Sequence, residues 1–128
     1  MINHILISHA LYPNTLHNIM PTLHCLADLC LIPIGTGNAS VSEYVTDVVR
    51  VIKASGLHYV LHSAGTTIEG PWDEVCATIG KAHEALHEKG VVRIQSDIRI
   101  GTRTDKDQSP QDKIDAVMRH LSKDEEKK

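Results

Sequence analysis

Glycine followed by proline at positions 70 and 71 restricts this chain more than any other pair of its residues. Pro71 has no amide proton to give to a sheet, and its fixed φ suits the first turn of a helix. Upstream, Thr66-Thr67-Ile68-Glu69 has the β-branched content and alternation of a short strand. Thr66 to Trp72 therefore marks a strand that stops and a helix that starts almost at once. Just before it, Ser63-Ala64-Gly65 has turn composition, so Leu57–His62 should fold back as the partner strand of a hairpin. A carboxylate, Glu69, lies inside this hairpin, where a solvated edge residue and a ligand contact are both open readings.

The flanking segments read outward from this hairpin. Leu23–Ile34 is a nearly continuous apolar run ended by Pro33 and Gly35, the pattern of a central strand buried on both faces. Its alternating sets are Leu23, Cys25, Ala27, Leu29, Leu31 and His24, Leu26, Asp28, Cys30, Ile32, and the second holds the one acid, Asp28. The loop Gly35-Thr36-Gly37-Asn38-Ala39 lacks the Gly-Lys-Ser/Thr ending of a phosphate loop. Ser40 with Glu43 forms the signature of a capping box. Val45, Val48, Val49 and Ile52 then give a core-facing helical stripe that Gly56 closes. Beyond the hairpin, Val75, Ile79, Ala82 and Leu86 line a second helix ending at Gly90. Val91–Thr102 alternates cleanly as a strand, and Ser109-Pro110 with Asp112 starts a third helix carrying Ile114, Val117, Met118 and Leu121.

Residues 1–19 contain no Asp, Glu, Lys or Arg, and so have neither the basic start of a secretory signal nor the arginines of a mitochondrial leader. They read as a disordered N-terminal extension, with Met20 as an alternative start, ahead of a domain spanning 20–122. Residues 123–128 read as a charged tail.

The order β-α-β-β-α-β plus a C-terminal helix predicts an α+β, ferredoxin-like sandwich with both crossover helices on one sheet face. Leu29, Leu31, Leu61, Ile68, Ile94 and Ile98 belong to that covered face. The other face carries Asp28, His62, Thr67, Glu69, Arg93, Gln95, Asp97 and Arg99 together with apolar Leu26 and Ile32. A face so mixed predicts self-association to cover part of it.

Composition narrows the function. A net charge of −3 argues against a protein that neutralises nucleic-acid phosphates, and 3% aromatic residues leave little for base stacking. No apolar run is long enough to span a membrane. The cysteines, Cys25, Cys30 and Cys76, are odd in number and show no framework spacing, which points to a reducing, cytoplasmic compartment. Cys25 and Cys30 fall on opposite faces of one strand and cannot share a metal. His83-Glu84-Ala85-Leu86-His87 spells the zinc-hydrolase motif, but it sits in the last turns of a short helix without a convincing third ligand, where histidines suit the helix dipole. Ser63, His62 and Asp28 could be imagined as a nucleophile triad, yet no nucleophile elbow is present and neighbours on a strand point apart.

The segments PIGTGNASVSEYV, HSAGTTIEGPWDEV and IRIGTRTDKDQSPQDKID resemble the small thiamine-binding protein family of the YkoF-like superfamily, and SAGTTIEGPWD resembles its fungal members in particular. The resemblance covers about residues 22–121. Where many bacterial members have Pro-Met, this chain has Ser63-Ala64. The resemblance implies a ferredoxin-like subunit, dimers that pair into tetramers, and binding of thiamine or its hydroxymethylpyrimidine precursor, without an assigned reaction, resident cofactor or metal. Two rival readings are a structural or regulatory oligomer and an enzyme of thiamine-related metabolism. By strand parity Asp28, Thr67, Glu69 and Asp97 share one face, and the central position of the first and third strands brings Asp28 and Glu69 together. Their mutual repulsion would be relieved by a cation or a shared proton. Thr36 and Ser40 would close the rim. Alternatively, Glu69 pairs with Arg93 or Arg99 as an ionic lock.

Overall fold

The computed structural model describes residues 23–127; the expected extension 1–19 lies outside them. The elements follow in the order β1 (His24–Ile34), α1 (Ser42–Ala54), β2 (His58–His62), β3 (Gly65–Pro71), α2 (Trp72–Glu88), β4 (Arg93–Thr102) and α3 (Pro110–Glu125). The strands form one antiparallel sheet ordered β2-β3-β1-β4. This is the ferredoxin-like βαββαβ sandwich with an added C-terminal helix.

β1 is the spine of the sheet, but it is not buried on both faces. Cys25, Ala27, Leu29 and Leu31 are buried, while the residues between them are partly open. The reason is that α1 and α2 lie on the same side, and their apolar stripes cover only that face. Ile68 of β3, Val75, Ala82 and Leu86 of α2 and Ile52 of α1 complete the core. Pro71 ends β3 and stands as the N-cap of α2. The amide of Trp72 donates to the Leu23 carbonyl at 2.7 Å, so the helix start is tied to the entry of β1. At the other end of α2, Lys89 pairs with Asp47 of α1, and that ammonium, with Arg50, holds the Asp47 carboxyl below the usual carboxylate range despite some desolvation.

Several local expectations change. α1 starts without the capping box: Val41 is its N-cap, and the Ser40 hydroxyl lies 3.2 Å from that of Ser42. The helix is also rotated from the expected stripe. Val48 and Ile52 are buried and Tyr44 and Val51 pack on the core, but Val45 turns outward. Leu61 has the parity of the covered face, opposite buried Thr66, yet it is exposed because it sits near the hairpin tip, beyond the helices. α3 has its full capping box between Ser109 and Asp112 and extends through Lys123, Asp124 and Glu125, into the expected tail. Its apolar stripe is not covered: Ile114, Val117, Met118 and Leu121 are each more than 50% exposed.

Candidate functional site

The face opposite the helices is where the polar chemistry collects. The register places Asp28 of β1 between Thr67 of β3 and Arg99 of β4. The two-residue Ser63-Ala64 turn pairs His62 with Gly65 and therefore His58 with Glu69. Two acid-centred clusters result.

In the first cluster, His62 Nε2 donates to Asp28 Oδ1 at 2.6 Å, and Arg99 donates to Asp28 Oδ2 through both Nε, at 3.2 Å, and Nη2. The Ala64 amide donates to His62 Nδ1 at 3.3 Å. The two contacts fix the ring with Nε2 toward Asp28 and Nδ1 toward the hairpin turn. Burial pushes the Asp28 carboxyl up, but the bonds and charges of Arg99 and His62 outweigh it and hold the group below its ordinary range. Gly65 makes the cluster possible. A Cβ there would stand 2.6 Å from the Leu29 carbonyl oxygen and 3.3 Å from Asp28 Oδ1.

The second cluster is centred on Glu69. His58 Nδ1 lies 3.0 Å from Oε2 and His24 Nε2 lies 3.3 Å from Oε1, so two imidazoles from the flanking strands hold one carboxylate. The relief of like charge between Asp28 and Glu69 thus comes from side chains of this chain. The expected lock of Glu69 on an arginine does not form, since Arg99 serves Asp28. The two acids are diagonal neighbours across β1 and β3, about 7 Å apart at their Cβ atoms.

Beside them lies an open cleft of about 600 Å³ between the sheet face and the first turn of α3. Leu26, Val60, Pro110 and Ile114 supply its apolar surface, and Asp28, His62, Thr67, Arg99 and Lys113 its polar groups. Of the six residues expected at the site, Asp28 and Thr67 line this cleft and Glu69 adjoins it. Asp97 is on the same face, opposite Cys30, exposed and without an ion pair among the described residues. Thr36 and Ser40 do not form the rim. They follow the far end of β1, and at about 3.3 Å per residue that end is roughly 20 Å from Asp28. The Thr36 hydroxyl donates instead to the Asn38 carbonyl at 3.2 Å.

Sequence reasoning missed His24 and His58. The hairpin register contained the signal for His58, since pairing 62 with 65 sets 58 opposite 69. The imagined Ser63 triad has its His–Asp pair, but the second nitrogen of His62 is taken by the Ala64 amide and no bond joins it to Ser63 among the described residues. In the zinc-like motif, His87 Nδ1 donates to the Val91 carbonyl at 2.7 Å, and His83 Nε2 meets the Ser96 hydroxyl at 3.0 Å. Desolvation, helped by His87, pushes His83 down from its ordinary value. No helix among the described residues is long and apolar enough to cross a membrane.

A one-sided ferredoxin-like sandwich with a polar open face defines the class. The sequence profile described as Thiamine-binding protein matches residues 27–118. The UPF0045 protein ECM15 of Eremothecium gossypii is 54% identical over 80% of this chain and 98% of its own length. The YqgV protein of Bacillus subtilis is 41% identical over 75% of this chain and 96% of its own length. Among solved structures, the MJ1052 protein of Methanocaldococcus jannaschii superposes with a TM-score of 0.66 at 34% identity, covering 73% of this chain and 95% of that one. A Thermotoga maritima protein assigned provisionally to thiamine biosynthesis or salvage has a TM-score of 0.62 over 73% of this chain and 98% of its own, and at 16% identity it shows the shared fold alone. The chain belongs to the thiamine-binding protein family.

Proposed function

We propose that this protein is a non-catalytic, cytoplasmic binding protein for thiamine or its hydroxymethylpyrimidine precursor, held on the open face beside Asp28 and Glu69. One observation carries the reading: Asp28, fixed by its neighbours, lines a largely apolar cleft, and Glu69, held by two imidazoles, follows two residues after Thr67 of its wall. A carboxylate offers about four acceptor positions, so both acids keep capacity for a donor. Thiamine brings an aminopyrimidine donor and a thiazolium cation, and this arrangement is pre-organised for both. The family membership supports the same ligand class, and the free thiols Cys25, Cys30 and Cys76 support the reducing compartment. Calorimetry with thiamine and the hydroxymethylpyrimidine tests it. Asp28→Asn should weaken binding by about 1–3 kcal/mol, the range for a lost hydrogen bond to a charged group. Absence of binding to the unaltered protein, or equal binding by the variant, rejects the reading. Turnover of either compound would favour an enzyme instead.

A second reading, a structural or regulatory oligomer, is favoured by the bare stripe of α3 and by exposed Ile32, Ile34 and Val60 on the open face. It is compatible with ligand binding, and we propose self-association to a dimer or tetramer through these surfaces. Sedimentation equilibrium at micromolar concentration should show little monomer, and Val117→Asp should release it. A monomeric unaltered protein would remove the oligomer from the proposal.

A further inference from the structure

We infer that His83 and His87, on the flank of α2 above the edge strand β4, form a chelating site for a divalent late first-row metal ion, with water completing its coordination. Their spelling is that of a zinc hydrolase, but the structure supplies less than such a centre needs. Among the described residues no group of three His, Cys, Asp or Glu side chains could hold a metal. Two protein ligands are fewer than the three of a catalytic zinc site or the four of a structural one. What remains is a pair of imidazoles one helical turn apart, neighbours on the helix surface.

The fold puts that pair within reach of solvent. Ala82 and Leu86 are fully buried against the core. His83 and His87 each follow one of them, about 100° further round the helix, and so lie on its side. β4 is the outermost strand there, and His83 Nε2 meets the hydroxyl of its Ser96 at 3.0 Å. The ring centres are 6.4 Å apart and tilted by 50°. Two imidazoles on one ion, with metal–nitrogen bonds of about 2.1 Å, stand with centres about 5 Å apart, so closure needs a shift of roughly 1 Å. The soft χ2 torsion of histidine allows it. Each ring is also anchored from outside the pair. His87 Nδ1 donates to the Val91 carbonyl at 2.7 Å. A carbonyl only accepts, so Nε2 is the nitrogen His87 leaves for a ligand, and such an outer hydrogen bond is what orients metal-binding histidines. The Ser96 hydroxyl can give or take a proton and leaves His83 free to offer either nitrogen. His24, His58 and His62 are committed to carboxylates, whereas neither ring of this pair has an acid partner among the described residues. Imidazole nitrogens without carboxylates suit nickel, copper and zinc, and do not suit magnesium or calcium.

Nickel(II) tests the inference on the full chain, because it does not oxidise the free thiols and its unpaired electrons broaden nearby amide signals. Calorimetry should show saturable binding of one ion per chain, with none for magnesium. Substoichiometric nickel should broaden amides centred on residues 83–87 and 96. His83→Gln and His87→Gln should each lower nickel affinity at least tenfold. The double variant should fall less than a further threefold, because a chelate is lost with its first arm. If His83→Gln disturbs the fold through Ser96, His87→Gln at an exposed position reads the same loss. Equal binding of magnesium, single variants that bind as the unaltered protein does, or broadening centred on His24 and His58, on a cysteine or on the histidines of residues 1–19 would each overturn the site. The pair shares no residue with the open-face cleft, so none of these outcomes bears on thiamine binding there.

Discussion

The two faces of the sheet are built from the same strands and obey opposite rules. On the covered face, Ala27, Leu29 and Ile68 are buried under two helices, and their identity is explained by packing alone. On the other face, Asp28 and Glu69 sit one residue away from those side chains along the same strands, only partly buried. There the side chains satisfy one another: each acid has an imidazole or guanidinium from the next strand. The difference teaches that strand parity separates stability from recognition in this fold. Apolar contacts on one side hold the sheet rigid, and that rigidity fixes the polar groups on the other.

The sharpest way to break that division is to exchange the effects of the two faces. Ile68→Ala, at a fully buried position, should cost about 2–5 kcal/mol of unfolding free energy by denaturant titration, with any ligand affinity per folded molecule little changed. Gly65→Ala forces the backbone of Leu29 and the Asp28–His62 pair apart, and should cost about 1–3 kcal/mol, the usual range for overpacking. It should also disturb Asp28, so it is the one change expected to harm both faces. Asp28→Asn should cost only about 1 kcal/mol at neutral pH, because the Arg99 it leaves behind is largely exposed. A loss as large as that of Ile68→Ala would abolish the distinction.

The same variant gives a pH test. Arg99 and His62 hold the Asp28 carboxyl below its unfolded value despite burial, so near and below about pH 4 the unfolded chain takes up the proton more readily. Stability from this group is fully present above the unfolded pKa and is lost as pH falls through the folded one. Acid denaturation of Asp28→Asn should therefore begin from a lower stability but show a shallower acid limb. An unchanged limb would show that the cluster contributes nothing. The smallest effect is expected for Glu69→Gln. Its partners His24 and His58 are half exposed or more, and the change should cost well under about 1 kcal/mol in stability.

Much of this molecule was legible in the order of its residues. The Gly70-Pro71 junction, the capping box at Ser109 and the alternation of β1 and β4 are local signals, and they led to the right elements, topology and parity. The placement of Asp28, Thr67, Glu69 and Asp97 on one face followed from parity as well. The errors came where the outcome depends on distant neighbours. Ser40 has the letters of a cap, but the loop before α1 bonds to itself instead. Val45 fits the helical period, but the rotation of α1 is set by what α2 and β1 leave to fill. Thr36 and Ser40 seemed near the acids only because they follow β1 in the chain, while the strand's length carries them away.

Sequence by itself determined the elements, their order and which side chains share a face, because backbone propensity and side-chain alternation act over a few residues. Tertiary structure alone decided who partners whom: Arg99 with Asp28 rather than Glu69, and two imidazoles on Glu69. Those choices depend on cross-strand register and on distances of a few ångströms between residues far apart in the chain, where charged and hydrogen-bonding groups change partners over short displacements.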